Sequence, residues 1–242
     1  MSSATPHPTG TDAVATTDLI RQWLARVLST EAMRWLDAEI DRQRDALDER
    51  RLGMALGLVS RRVGRADVAL SAADLAAADA LHRRWRPQTW GTDEAARVAL
   101  MLATWRGEEE PFAARVDRLC VTGELTEHVA SLKGFAVFPA RARLLGRARE
   151  AVRSSVQPLF EAIACHNPYP ADCFDDAAFN QMVVKCVFSG ASIETVVGLA
   201  ERRNADLIRM LRDFISERHA AGRTVPANVL DFAFEQDTRP AD

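Results

Sequence analysis

This sequence is nearly without lysine, tyrosine and asparagine, has no cysteine pair at metal or redox spacing, and carries no long apolar run. Each shortage excludes something. No apolar stretch approaches the roughly 20 residues that a bilayer span requires, so no membrane span is expected. The four cysteines, Cys120, Cys165, Cys173 and Cys186, form no C-x-x-C pair. That pattern suits reduced thiols and a cytoplasmic location rather than a disulfide framework or a zinc site. Acids and bases nearly balance, at a net charge of −3, and the basic residues are scattered among carboxylates instead of blocked together. Phosphate tracking, and with it nucleic-acid binding, is not expected. No G-x-S-x-G elbow, phosphate-cradling glycine loop or dinucleotide fingerprint is present. The first 17 residues, MSSATPHPTGTDAVATT, lack the charged start and apolar run of a signal peptide and read as a disordered tail.

What the chain does have is helix-forming residues. Hydrophobic residues make up 48% of the 242 and charged residues 27%, an ordinary globular profile with enough length for a real core. Ala, Leu, Arg, Glu and Asp dominate, apolar residues recur at three and four, and no segment alternates with period two. Caps and breakers mark the joints. Asp18 and Thr30 open helices; Leu52–Val63 is a third, weakened by Gly53 and Gly57. Ser71 with Asp74 makes a capping box for a helix ending near Trp85, and Pro87 forces the break after it. Thr92 caps a helix with Asp93 and Glu94 in its first turn. Pro111 starts the next, which Thr122-Gly123 ends. Pro139 starts a long helix that Pro158 kinks or splits before His166, and Pro168 and Pro170 impose an extended linker. Helices over Asp172–Ser189, Ile193–Ala200 and Asn204–Ala221 and a short turn after Pro226 complete the chain. The expectation is an all-α, irregular multi-helix array or bundle of about ten helices, one domain over 18–235 followed by a flexible tail over 236–242.

Rarity makes some residues informative. All but two of the 31 basic residues are arginine, the exceptions being Lys133 and Lys185; the only tyrosine is Tyr169; and every asparagine lies in the C-terminal third. The segment from His166 to Asn204 therefore gathers side chains that the rest of the chain avoids. Within it, the helix FDDAAFNQMVVKCVFSG is apolar almost all round, as interior helices are. Gln181 and Lys185 nonetheless share one face at i, i+4, and Asp172, Asp176 and Asn180 form a second polar stripe. Such groups must face one another, a neighbour's polar groups or a pocket, because burying them unpaired costs about 1–3 kcal/mol each and more for a charge. A lysine in apolar surroundings has a depressed pKa and can act as a base or imine-forming amine; equally, it can pair with a buried acid or reach solvent along its stem.

His166-Asn167-Pro168-Tyr169-Pro170 sits between two helices with its backbone held by prolines, which suits a general acid or base beside a phenol. The same residues also read as a helix C-cap with Asn in the left-handed position. His166 with Asp172, Asp175 and Asp176 suits Mg²⁺ better than zinc, although acids opening a helix are ordinary dipole compensation. Asp175-Asp176-Ala177-Ala178-Phe179 superficially resembles the aspartate-rich motif of the all-helical terpene cyclases, without their second metal motif. Trp85 and Trp90 flank a turn and either line a pocket or anchor packing. Arg202-Arg203-Asn204 at a helix start either holds an anion or forms a plain N-cap.

The string HNPYPADCFDDAAFNQMVVKCVF resembles the signature of the EboA domain family, met as HNPYP, an acidic spacer, then AAWNQMVLKALF. Similarity extends through QTWGTDEAARVALML and GLAERRNADLIRML to about Arg223, and covers most of the chain from about Leu52. The resemblance implies a helical bacterial protein of specialised metabolism, encoded near UbiA-type prenyltransferases and near sugar-phosphate cyclase-like, TIM-barrel isomerase-like and TatD-like proteins, with a link to scytonemin precursors. It carries over to His166, Asn167, Tyr169, Asn180, Gln181 and Lys185. Phe179 stands where the family has Trp, Ser192 where Pro is expected, and Ala200-Glu201-Arg202 replaces an Asp-Arg-Arg stretch.

The resulting expectation is a protein that binds or transforms a small isoprenoid- or cyclitol-type intermediate in a buried helical pocket. His166, Lys185 and Tyr169 are the catalytic candidates, and Asn167, Asn180, Gln181 and Arg202 the substrate-binding ones. No cofactor is expected; Mg²⁺ at Asp172, Asp175 and Asp176 is the metal candidate. The alternatives are a non-catalytic scaffold or carrier for pathway proteins and a metal-dependent terpene-cyclase-like enzyme.

Overall fold

The computed structural model describes residues 10–234. Every extended element is α or 3-10 helix, and among the described residues the nearest thing to a strand is one bridge between Asp67 and Gly91. The first helix, α1 (Gly10–Ala25), starts upstream of the Asp18 that the sequence suggests. The reason is burial. Ala13, Thr16 and Thr17 lie in the core, and the two hydroxyls donate to the carbonyls of Asp12 and Ala13 at 2.6 and 2.8 Å. Hydroxyls that bond a carbonyl of their own helix are satisfied and can be buried. Residues 10–17 of the expected tail over 1–17 thus lie in α1; residues 1–9 and the expected tail over 236–242 lie outside the described residues.

Next come α2 (Thr30–Asp45), capped by Ser29, α3 (Glu49–Val63), capped by Asp48, and α4 (Ala72–Leu81), where Ser71 and Asp74 form the capping box read from the sequence. At the centre of the fold is α5 (Thr92–Leu102), in which every residue but Glu94 is buried. Alanines at 95, 96 and 99 leave room for α1, α2, α3 and α7 (Leu125–Gly134) to pack round it. Its two buried charges answer each other one turn apart. Arg97 Nη1 meets Asp93 Oδ2 at 2.7 Å, and the Ser60 hydroxyl bonds both at 3.0 Å. Beside this core, Trp85 stacks between Trp23 and Trp90 with ring centroids 5.3 and 5.5 Å apart; these tryptophans anchor packing.

Between α6 (Glu109–Thr122) and Pro139, where the sequence suggested no element, lies α7. Its cap is unusual in chemistry: the Glu127 carboxylate accepts from the Glu124 N–H at 3.1 Å, and glutamate is not among the favoured N-cap residues. The long helix expected after Pro139 is divided into a 3-10 turn (Arg141–Leu144), α8 (Leu145–Arg153) and α9 (Gln157–Ala164), with Pro158 in the first turn of α9. Pro168 and Pro170 do not make an extended linker. Pro168 adopts the helical conformation and begins the short α10 (Tyr169–Cys173), consistent with proline's fixed φ at a helix start. Then follow α11 (Asp176–Ser189), a 3-10 turn (Ile193–Thr195), α12 (Ala205–Ala220), capped by Asn204, and α13 (Ala227–Phe234).

The helix wrapped in apolar contacts is α5, not α11. The latter buries Phe179, Asn180, Met182, Val183, Cys186 and Val187 but turns Ala177, Gln181 and Phe188 outward, Phe188 being 78% exposed.

Candidate functional site

The C-terminus of α9 leads into the most unusual backbone of the segment. His166 has φ +55°, in the left-handed region, and its N–H donates to the Thr195 carbonyl at 2.7 Å. A side-chain-bearing residue there costs on the order of 1 kcal/mol that glycine would avoid. The chain tolerates that cost and keeps an imidazole at this corner. The Gln88 amide nitrogen lies 2.7 Å from His166 Nδ1. Taking the Gln88 amide nitrogen as the donor assigns Nδ1 as acceptor and the ring proton to Nε2. Burial holds the His166 pKa below the ordinary histidine value, and the Lys133 cation pushes in the same direction, so the ring is neutral at neutral pH.

His166 opens on a cleft of about 540 Å³ formed by α7, α9, the loop before α5 and the turn from Gly190 to Thr195. Val129, Pro158, Ala162 and Ala191 supply apolar lining, and Lys133, Glu94 and Glu161 are its charged residues, with Thr89, Cys165, Ser192 and Thr195 beside them. Lys133 Nζ donates to Glu94 Oε2 at 2.6 Å and to the Thr89 carbonyl at 3.3 Å. The same carboxylate oxygen accepts the Gly91 N–H at 2.9 Å, which fixes the start of α5. The cleft thus joins a neutral histidine, an ion pair tied to a helix N-terminus and a second carboxylate. Lys133, Glu94 and Glu161 were not among the sequence candidates. The scarcity of lysine had marked Lys133, but nothing local linked it to a histidine 33 positions away.

The other candidates do not share this cleft. Asn167 is buried and holds the joint together: its amide donates to the carbonyls of Leu132 and Ala162 at 3.0 and 3.1 Å, and its oxygen accepts the Tyr169 N–H at 3.0 Å. Tyr169 is wholly buried, with its hydroxyl donating to the Arg141 carbonyl at 2.5 Å. Burial raises its pKa far above the ordinary phenol value. Asn180 and Asn204 exchange reciprocal amide bonds of 3.0 Å, tying α11 to the cap of α12. Gln181 faces solvent. Lys185 donates to the Val152 and Ser154 carbonyls at 2.8 and 2.6 Å, closing the C-terminus of α8, with its ammonium 4.5 Å from the Phe160 ring centroid. Desolvation lowers its pKa, as expected from the sequence, but its head group is spent on carbonyls. Arg202 caps α10 through the carbonyls of Ala171 and Phe174 and pairs with Asp176 at 2.7 Å.

The three aspartates diverge. Asp172 is buried between the guanidinium groups of Arg84 and Arg141, Asp175 caps α11 and pairs with Arg149, and Asp176 pairs with Arg202. Among the described residues no group of three His, Cys, Asp or Glu side chains gathers as a metal would require, so the carboxylates present do not fit the Mg²⁺ reading. Nor do Cys165 and Cys173 face each other. All four cysteines are free, Cys120 and Cys186 buried and Cys165 and Cys173 half-buried. No helix among the described residues is long and apolar enough to cross a membrane.

The sequence profile described as "Metabolite traffic protein EboA" matches residues 16–233. No curated protein and no solved structure matches the chain.

Proposed function

The chain belongs to the EboA family, described as metabolite traffic proteins, and from that premise we propose that it holds a small-molecule intermediate of specialised metabolism in the His166 cleft. The isoprenoid- or cyclitol-type chemistry implied by the family signature is the class of intermediate proposed. The observation that carries this reading is a histidine kept at φ +55° with its side chain on an open cleft of about 540 Å³. Strained residues held by their surroundings concentrate where ligands bind, and the volume lies within the range of small-molecule pockets.

Holding is favoured over transforming. Of the three acid–base candidates only His166 reaches the cleft; the Tyr169 hydroxyl and the Lys185 ammonium are consumed by backbone carbonyls. With Nδ1 accepting from Gln88, the free ring atom Nε2 carries a proton. In this tautomer it offers a hydrogen bond to an oxygen of the ligand.

The test is capture from a metabolite extract. Purified full-length protein is incubated with the small-molecule extract of cells making the pathway product, and retained ligand is released and weighed by mass spectrometry. His166→Asn suits the left-handed backbone but removes the Nε2 donor. Loss of one hydrogen bond corresponds to about three- to tenfold weaker retention. Equal retention by the folded variant, or no ligand retained by the wild type, overturns the reading.

A further inference from the structure

Resting on that reading of the cleft, the charges around it point to a chemical class. We infer that the ligand carries a protonated amine received by Glu161, and carries no phosphate. Arginine supplies nearly all of this chain's positive charge, yet no arginine lines the cleft. The one cation there, Lys133, is already neutralised by Glu94 at 2.6 Å. Glu161 differs. Its described partner is the Gln157 amide, one turn back at 2.6 Å, and among the described residues no basic group lies within ion-pair distance of it. With His166 neutral, the lining residues sum to one negative charge, and that charge sits on the exposed rim at Glu161.

A phosphate brings about −1.5 to −2 charges at neutral pH. In this cleft it would meet two carboxylates and an ammonium already paired, without the guanidinium fork that matches its geometry. A chain so rich in arginine has the means to build such a fork and has not done so here. An ammonium fits instead: Glu161 supplies the counter-charge, the His166 Nε2–H receives a nearby ligand oxygen, and Val129, Ala162 and Ala191 cover the carbon skeleton.

Three probes that share one ring and differ only in head group test this: cyclohexylamine, cyclohexanol and cyclohexyl phosphate. Each is titrated into full-length protein with labelled alanine and valine methyls, and the signals of Val129, Ala162 and Ala191 are followed. Cyclohexylamine is expected to bind about two- to fivefold more tightly than cyclohexanol, the ratio of a solvent-exposed ion pair, with cyclohexyl phosphate weakest. Glu161→Gln, a change at an exposed side chain, should abolish the preference for the amine. Phosphate binding as tight as amine binding, an amine preference that survives Glu161→Gln, or no movement of these methyls by any probe each overturns the inference. The extract experiment with His166→Asn decides separately whether the cleft binds at all, so the ligand class can fail while the site stands.

Discussion

Asp172 is the position at which the structure and the sequence lead to opposite experiments. The sequence offers it as a metal ligand; in the fold it neutralises two arginines at once. Arg84 comes from the left-handed residue after α4, at φ +65°, and Arg141 from the 3-10 turn before α8, where its Nη2 lies 2.8 Å from Asp172 Oδ2. The side chains of Asp172, Arg84 and Arg141 are only 8, 19 and 11% exposed. Asp172→Asn removes the one negative charge and leaves two guanidinium groups facing each other in poor solvent. Breaking a buried pair by deleting one partner costs about 3–5 kcal/mol. In a chain of this length each kcal/mol moves the melting midpoint by about 2–4 °C, so a fall of about 6–20 °C is expected. The companion variant Asp172→Asn with Arg84→Met should recover part of that loss, since it removes one stranded cation. Thermal unfolding by circular dichroism, with and without Mg²⁺, measures both. A midpoint lowered by less than about 2 °C in Asp172→Asn refutes the electrostatic reasoning. So does stabilisation of the wild type by Mg²⁺ that the variant lacks, which would restore a metal at this carboxylate.

Three further outcomes follow from the same geometry. His166→Gly should melt about 2–4 °C above His166→Ala, because glycine alone relieves the left-handed strain of about 1 kcal/mol, while both lose retained ligand; equal midpoints would contradict the strain. His82, whose ring lies 2.6 Å from the Thr16 hydroxyl, is pushed down by burial from 6.5 to about 4. Between those values the unfolded chain binds the proton and the native chain does not, so stability is full above pH 6.5 and falls as pH drops toward 4, by about 3 kcal/mol from this group. Denaturant titrations across that window should flatten by that amount in His82→Gln, and an unchanged slope would rule His82 out as the source. Lys185→Met strips the donor from two carbonyls at the end of α8 and should cost about 1–3 kcal/mol without altering metabolite capture; a stable Lys185→Met protein that captures nothing would return Lys185 to the functional site.

Much of the helical layout was legible because it is local. The Ser71–Asp74 box, the Asn204 cap, Pro111 in the first turn of α6 and Gly123 at its end all act within a few residues of themselves. So does the HNPYP string, which marks a helix end and identifies the family. The local rules failed at α7, where a glutamate cap hid the start. They failed again at Pro168-Tyr169-Pro170, where Asn167 bonding the Tyr169 N–H accompanies a helical turn in place of an extended one.

The candidate site was legible only in its anchor. The sequence by itself determined that the chain is helical, where most helices start and stop, and that the His166–Asn204 segment carries uncommon side chains. It could not determine what those side chains touch. Periodicity reports which residues share a face, not which faces meet. Lys185 finds carbonyls more than 30 residues away, Asn180 finds Asn204 across two helices, and Gln181 on the same helix finds water. Tertiary packing alone made α5 the central helix and brought Lys133 and Glu94 to the corner where Glu161 and His166 already lie close in sequence, because the partners of a polar group are set by how helices distant in sequence come to lie against one another.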